Sequence, residues 1–256
     1  MVLSVLSVYA YPDSAPVPTS ALVAALDLFD FNHRATRQAV HRLASDGWIA
    51  SFKDGRRSLW GFTSAGTRLM DEGSSRLERL ADSDREWDGS LVVVFASVPE
   101  SERARRHTLR TRMKWSGFGS IGPGIWISTE IGAERAAAAV VADLGIRSHS
   151  IVGRGGGIGH VDELIASAWD LAELEKSYRD FVDEFEGREV TSDRDAFVAL
   201  TQLVHRYRRF PFEDPSLPGV LLPRNWAGQE AVRLERSLRE RWWPRAKLHW
   251  AALVGG

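Results

Sequence analysis

The sequence predicts an α+β protein built in three consecutive parts: residues 1–84, 85–160 and 161–256. Three observations support this. An N-terminal run of helical patterns ends in alternating apolar and polar residues around an Asp-Gly pair. Strand and helix patterns alternate through the middle of the chain. Helical periodicity then continues almost without interruption to the end. Apolar residues make up 44% and charged residues 26% of the 256, as in a folded globular protein. With 33 Lys and Arg against 34 Asp and Glu, the formal charge is −1, so binding to a polyanion has to come from local charge. There is no cysteine, which excludes disulfides, thiolate metal sites and a cysteine nucleophile. The early apolar run Met1 to Tyr11 is too short to span a bilayer, and a cytoplasmic protein is expected.

In the first part, residues 1–10 read as a helix that the prolines at positions 12, 16 and 18 terminate. Thr19 or Ser20 is expected to cap a second helix, with Leu22, Val23, Leu26 and Phe29 on its apolar side. A third helix runs from His33 to Ser45, closed by Asp46-Gly47. Residues 48–62 form a hairpin with Asp54-Gly55 as the expected type I′ turn. Thr63 caps a fourth helix. This order of helix, short turn, helix and two-stranded hairpin is that of a winged helix-turn-helix.

At 3.6 residues per turn, Arg34, Arg37, Gln38, His41 and Arg42 fall within roughly 140° of one another on the third helix. Thr36, Ala39, Val40 and Leu43 take the opposite side. The first set contains the residue types that read a DNA major groove. Arginine bonds guanine O6 and N7 together, and glutamine bonds adenine N6 and N7. The hairpin adds Lys53, Arg56 and Arg57, suited to phosphate or minor-groove contact. Residues 31–70 hold seven Lys and Arg against two Asp and Glu, a local charge of +5.

Residues 81–89 read as a charged linker. Strands are expected at 91–98, 125–128 and 147–152, with helices at 99–115 and 133–144 between them, a pattern that suggests a ferredoxin-like unit. The glycine-rich run 153–160 fits neither dinucleotide nor phosphate-loop spacing and reads as an interdomain loop. Seven histidines show no paired spacing, so no metal site is expected, and no serine nucleophile elbow is present. No cofactor and no catalytic residue are assigned. The arginine-rich helix 100–115 reads first as a solvated face, with phosphate binding by Arg112 and Lys114 as the alternative. Trp115, Trp126 and Trp226 are candidates to line an apolar pocket. His205 reads first as a structural residue.

The run Arg34-Ala35-Thr36-Arg37-Gln38-Ala39-Val40-His41-Arg42 through Gly47-Trp48 resembles the recognition helix of PaaX-type repressors of phenylacetate degradation. So does Gly55-Arg56-Arg57-Ser58 with Phe62-Thr63 and Gly66. The run Leu203 to Phe212, with Asp214-Pro215, Leu217-Pro218, Leu221-Leu222-Pro223 and Trp226, is similar to that family's C-terminal signature. The resemblance implies a homodimeric, non-enzymatic repressor that leaves its operator on binding an acyl-CoA thioester such as phenylacetyl-CoA. On this basis His205 and Arg206 join Arg112, Lys114, Trp115, Trp126 and Trp226 as effector-site candidates. It also implies a central domain similar in fold to the nuclease Cas2. That nuclease has a metal-binding aspartate near the end of its first strand, where this chain reads Phe95-Ala96-Ser97-Val98. Two rivals remain at this point: a metal-dependent nuclease, and a protein-interaction module that touches no nucleic acid.

Overall fold

The computed structural model describes residues 1–12, 15–55, 57–81 and 85–255. The chain divides into two compact units. One holds Met1–Glu78, Phe181–Arg209 and Ala231–Gly256; the other holds Arg79–Asp180 and Phe210–Glu230. The segment 161–256, expected as one helical domain, is therefore shared between them.

The first unit opens with α1 (Val2–Tyr9), β1 (Val17–Pro18), α2 (Thr19–Asp27) and α3 (His33–Ser45). The hairpin β2 (Ile49–Asp54) and β3 (Arg57–Phe62) follows, then α4 (Ser64–Ala81). The short β1 pairs with β3, giving a three-stranded antiparallel sheet in the order β1-β3-β2. Apolar spacing decides what is buried: Val5, Leu6, Ala21, Leu22, Ala25 and Leu26 are fully enclosed.

Two local expectations need correction. Thr19 does not cap α2. It is the helix's first residue, after Pro18, and its hydroxyl is committed to Trp60 and Ser58 instead. The hairpin turn also lies one residue later than Asp54-Gly55. Asp54 pairs with Arg57, so Gly55 takes the first turn position with φ +58.

The C-terminal part supplies three more helices wholly or partly belonging to this unit. These are α8 (Leu171–Phe185), α9 (Asp193–Tyr207) and α11 (Ala227–Gly255). Ser192 and Asp195 form a capping box that starts α9. Its face of Ala196, Phe197, Leu200, Leu203 and Val204 is buried, and α9 packs on α1. Tyr9 of α1 stacks on Phe197, Trp243 and Trp250, at ring-centroid distances of 4.9, 5.8 and 5.3 Å.

The second unit is built on β4 (Ser90–Ala96), α5 (Arg103–Trp115), β5 (Gly119–Gly122), β6 (Ile125–Ser128), α6 (Ala133–Asp143) and β7 (Ser148–Arg154). All pairings are antiparallel and the sheet order is β5-β6-β4-β7, the ferredoxin-like arrangement. Strand β5 falls inside the stretch expected only as a turn. The side chains of β4 alternate between two cores. Val92, Val94 and Ala96 meet Leu109, Met113, Ala137, Val140 and Val141 of α5 and α6. On the other face, Val93 packs with Ile127 and with Ile165 of α7 (Val161–Ala168). The proline-rich stretch 211–224, expected as loop, contains most of α10 (Phe210–Glu213) and a 3₁₀ turn at Gly219–Leu221. Among the described residues, no helix is long and apolar enough to cross a membrane.

Candidate nucleic-acid interface

Helix α3 is fixed from its first turn. The Asn32 side chain accepts from the Ala35 backbone N–H at 2.9 Å. Thr36 and Val40, 0% and 1% exposed, anchor the helix to the interior. Five side chains are consequently left outside: Arg34, Arg37, Gln38, His41 and Arg42 are all exposed. These are the five residues placed on one face by the sequence. Among the described residues, none of Arg34, Arg37 and Arg42 forms an ion pair, and neither do Lys53 and Arg57 of the hairpin. The cations on this surface are not neutralised by the fold. An incoming polyanion would not have to displace an internal carboxylate.

Trp60, which the sequence reading did not single out, joins the ribbon to the helices. Its indole N–H donates to the Thr19 hydroxyl at 2.9 Å, and that hydroxyl donates to the Ser58 carbonyl at 3.1 Å. The His41 ring meets the indole edge-on at 5.6 Å. Strand alternation held the clue, since Trp60 is a large aromatic at a buried-face position of the hairpin.

The same alternation separates the hairpin cations. Lys53 lies opposite Ser58, on the face of the ribbon that carries Trp60 and so adjoins α3. Arg57 lies opposite Asp54, on the reverse face with Phe52 and Leu59. Arg56 lies outside the described residues.

Five of the effector candidates, Arg112, Lys114, Trp115, Trp126 and Trp226, belong to the second unit. Trp126 is 5% exposed, inside the core that α5 and α6 cover, and its indole donates to the Ala96 carbonyl at 3.1 Å. It is a core residue. Arg112 is in an ion pair with Asp143. Arg105 and Arg106 of the same helix pair with Glu102 and Glu100, which supports the solvated-face reading for much of α5. Lys114 is exposed, and its neighbour Trp115 packs on Phe212, with ring centroids 4.5 Å apart. Trp226 meets Tyr178 edge-on at 5.8 Å, and the Tyr178 hydroxyl donates to Asp214 at 2.7 Å, a carboxyl whose pKa burial pushes up.

His205 and Arg206 belong to the other unit. Arg206 binds Glu184 at 2.7 Å. Arg208 donates to the Ser4 hydroxyl at 3.0 Å, and the same hydroxyl is hydrogen-bonded to His205 Nδ1 at 2.9 Å. Burial, aided by neighbouring positive charges including Arg208 and Arg206, lowers His205 to about 4. Its environment is that of a neutral, hydrogen-bonded structural histidine. Among the described residues, no group of three or more His, Asp and Glu is placed to hold a metal ion.

Three family comparisons cover nearly the whole chain. Residues 1–66 match the PaaX-like protein family, residues 84–164 the PaaX protein central Cas2-like domain, and residues 169–252 the PaaX-like protein C-terminal domain. The chain belongs to the PaaX family of transcriptional repressors. The transcriptional repressor PaaX of Escherichia coli strain K12 is 29% identical over 245 residues, an alignment covering 88% of this chain and 74% of that one. An uncharacterized protein from Mycobacterium tuberculosis shares the fold. Its structure matches at a TM-score of 0.60 and 21% identity, over 98% of this chain and 96% of the other.

Proposed function

We propose that this protein is a homodimeric, DNA-binding transcriptional repressor of an aromatic catabolic operon such as that for phenylacetate. In this reading the first 84 residues form a winged helix-turn-helix, and an acyl-CoA thioester such as phenylacetyl-CoA releases the protein from its operator. One observation carries the DNA reading: the five polar side chains of α3 are exposed together, and its arginines have no carboxylate partner among the described residues. A helix of this width fits a major groove, where Arg34, Arg37, Gln38 and Arg42 can reach base edges. Lys53, on the α3 side of the ribbon, suits a flanking phosphate. Membership in a repressor family supports the regulatory role. The Phe95-Ala96-Ser97-Val98 run, without a carboxylate at the end of β4, argues against nuclease chemistry.

Release follows if the effector binds the DNA-incompetent arrangement more tightly, because equal affinity for both arrangements shifts nothing. Lys114 beside the Trp115–Phe212 pair offers a cation next to an apolar surface, as a phosphate-bearing acyl ligand needs. Arg112 would have to exchange Asp143 for the ligand.

A mobility-shift titration on the protein's own upstream region, with a panel of acyl-CoA thioesters as competitors, tests the reading. Arg37→Ala/Gln38→Ala should weaken specific binding by at least about 10- to 100-fold, the worth of a single bidentate base contact, since two are removed. Lys53→Ala should weaken all sequences alike and lower the salt slope by about one. Unchanged operator affinity in the double variant would favour a protein-interaction module.

A further inference from the structure

The two edges of the sheet in the second unit are treated differently. Strand β5 has four residues, two of them glycine. Its pairing with β6 shifts register between Ser120 and Gly122, and it packs against α7. Those are ordinary ways of blunting a sheet edge. Strand β7 has none of them. It is seven residues long and pairs with β4 in unbroken register, from Ser90 opposite Arg154 to Ala96 opposite Ser148. It contains no proline and no lysine, and residues 148–153 carry no charge beyond what His149 can acquire. Among the described residues β7 has no second neighbour, and every residue from His149 to Arg154 is exposed. Ile151 is 59% exposed and Val152 47%, on opposite faces of the strand. Phe95, on the Ile151 face, is 41% exposed.

We infer that β7 is a dimer interface: it pairs antiparallel with β7 of a second copy of this chain, about a two-fold axis through Ile151, joining the two sheets into one of eight strands. The inference deepens the proposed homodimeric reading and rests on it.

The choice of a second copy follows from the strand's own symmetry. A two-fold axis perpendicular to a sheet pairs residues that lie on the same face, so it must pass through a residue. Ile151 is the midpoint of Ser148–Arg154, and centring there pairs the strand over its full length. On one face the two Ile151 side chains then meet, flanked by Phe95 from each copy. His149 faces the second copy's Gly153, which leaves room for the ring. On the other face Ser150 faces Val152, and Arg154 faces Ser148. Glu134, which accepts from the Ser150 hydroxyl at 2.5 Å, lies beside that position, so the second copy's Arg154, paired with Asp88 of its own chain at 3.3 Å, arrives next to a second carboxylate. Both charges and both apolar faces are complementary to themselves under the same rotation.

Sedimentation and oxidative cross-linking of the full-length protein test this. The wild type should be dimeric. Ile151→Lys places like charges face to face and removes apolar contact, so it should raise the dimer dissociation constant about 100-fold with an unchanged circular-dichroism spectrum. The chain has no cysteine, so Ile151→Cys introduces one thiol per chain. Opposed Cα atoms in an antiparallel pair fall within disulfide range, and this variant should form a disulfide dimer in high yield. Val220→Cys, at a 75% exposed residue outside the strand, should not. A monomeric wild type, an Ile151→Lys dimer as tight as the wild type, or equal cross-linking at the two positions overturns the inference. If Ile151→Lys does not fold, the cross-linking comparison decides. A dimer that fails to bind DNA would leave this interface standing and count against the DNA reading alone.

Discussion

His205 shows how one buried position turns into a pH dependence. Its pKa is about 4 in the folded protein and near 6.5 in an unfolded chain, so below pH 6.5 the unfolded state takes up the proton that the native state refuses. Stability is complete above pH 6.5 and declines as the pH falls toward 4. Thermal melts across that interval should show a falling melting temperature, and His205→Gln should flatten the slope. His249, also lowered by burial, supplies part of what remains. An identical slope in the variant would mean that His205 is not the titrating group. Burial sets the preference for the neutral ring, and the positive charges of the N-terminus, Arg208 and Arg206 add to it.

At the scale of elements, periodicity revealed whatever has a clear apolar stripe or alternation. The sequence places α3 at His33–Ser45, which is where it lies, because Thr36 and Val40 fall on one side and the charges on the other. The α3 face was legible for the same reason. Strand β5 was not, because Gly119-Ser120-Ile121-Gly122 has little intrinsic strand preference. Tertiary packing decides it instead. A Cβ at Gly119 would lie 2.6 Å from the Trp169 ring and 2.8 Å from the Ala168 carbonyl, so α7 comes closer to the strand than any side chain permits. Gly119→Ala should therefore cost about 1–3 kcal/mol in denaturant unfolding, through overpacking against backbone. A neutral result would show that α7 can withdraw without loss. The hairpin shows the other limit: alternation gave both strands and the faces of Lys53 and Arg57, but only the observed pairing shows the register that sets Asp54 opposite Arg57. The effector candidates rest on residue type and family likeness. Neither carries the long-range packing that puts Trp126 in a core.

At the scale of the whole molecule, the division into units departs from chain order because α1 cannot complete its own core. Tyr9 is covered by Phe197 from α9 and by Trp243 and Trp250 from α11, almost 190 to 240 residues away in sequence. Trp250→Ala should destabilise the first unit by about 3–5 kcal/mol, the usual cost of deleting a buried tryptophan. Its unfolding should be seen together with loss of the α3 surface from protection in hydrogen exchange. If Trp250→Ala melts only a C-terminal segment while α3 stays protected, the two regions are not cooperative.

Because α9 and α11 help build the unit that carries α3, the N-terminal helices are not a detachable cartridge. In a genetic selection for loss of repression, damaging alleles would be spread along the gene. A premature stop codon shortly before Trp250 would disable the protein as thoroughly as a lesion in α3 itself.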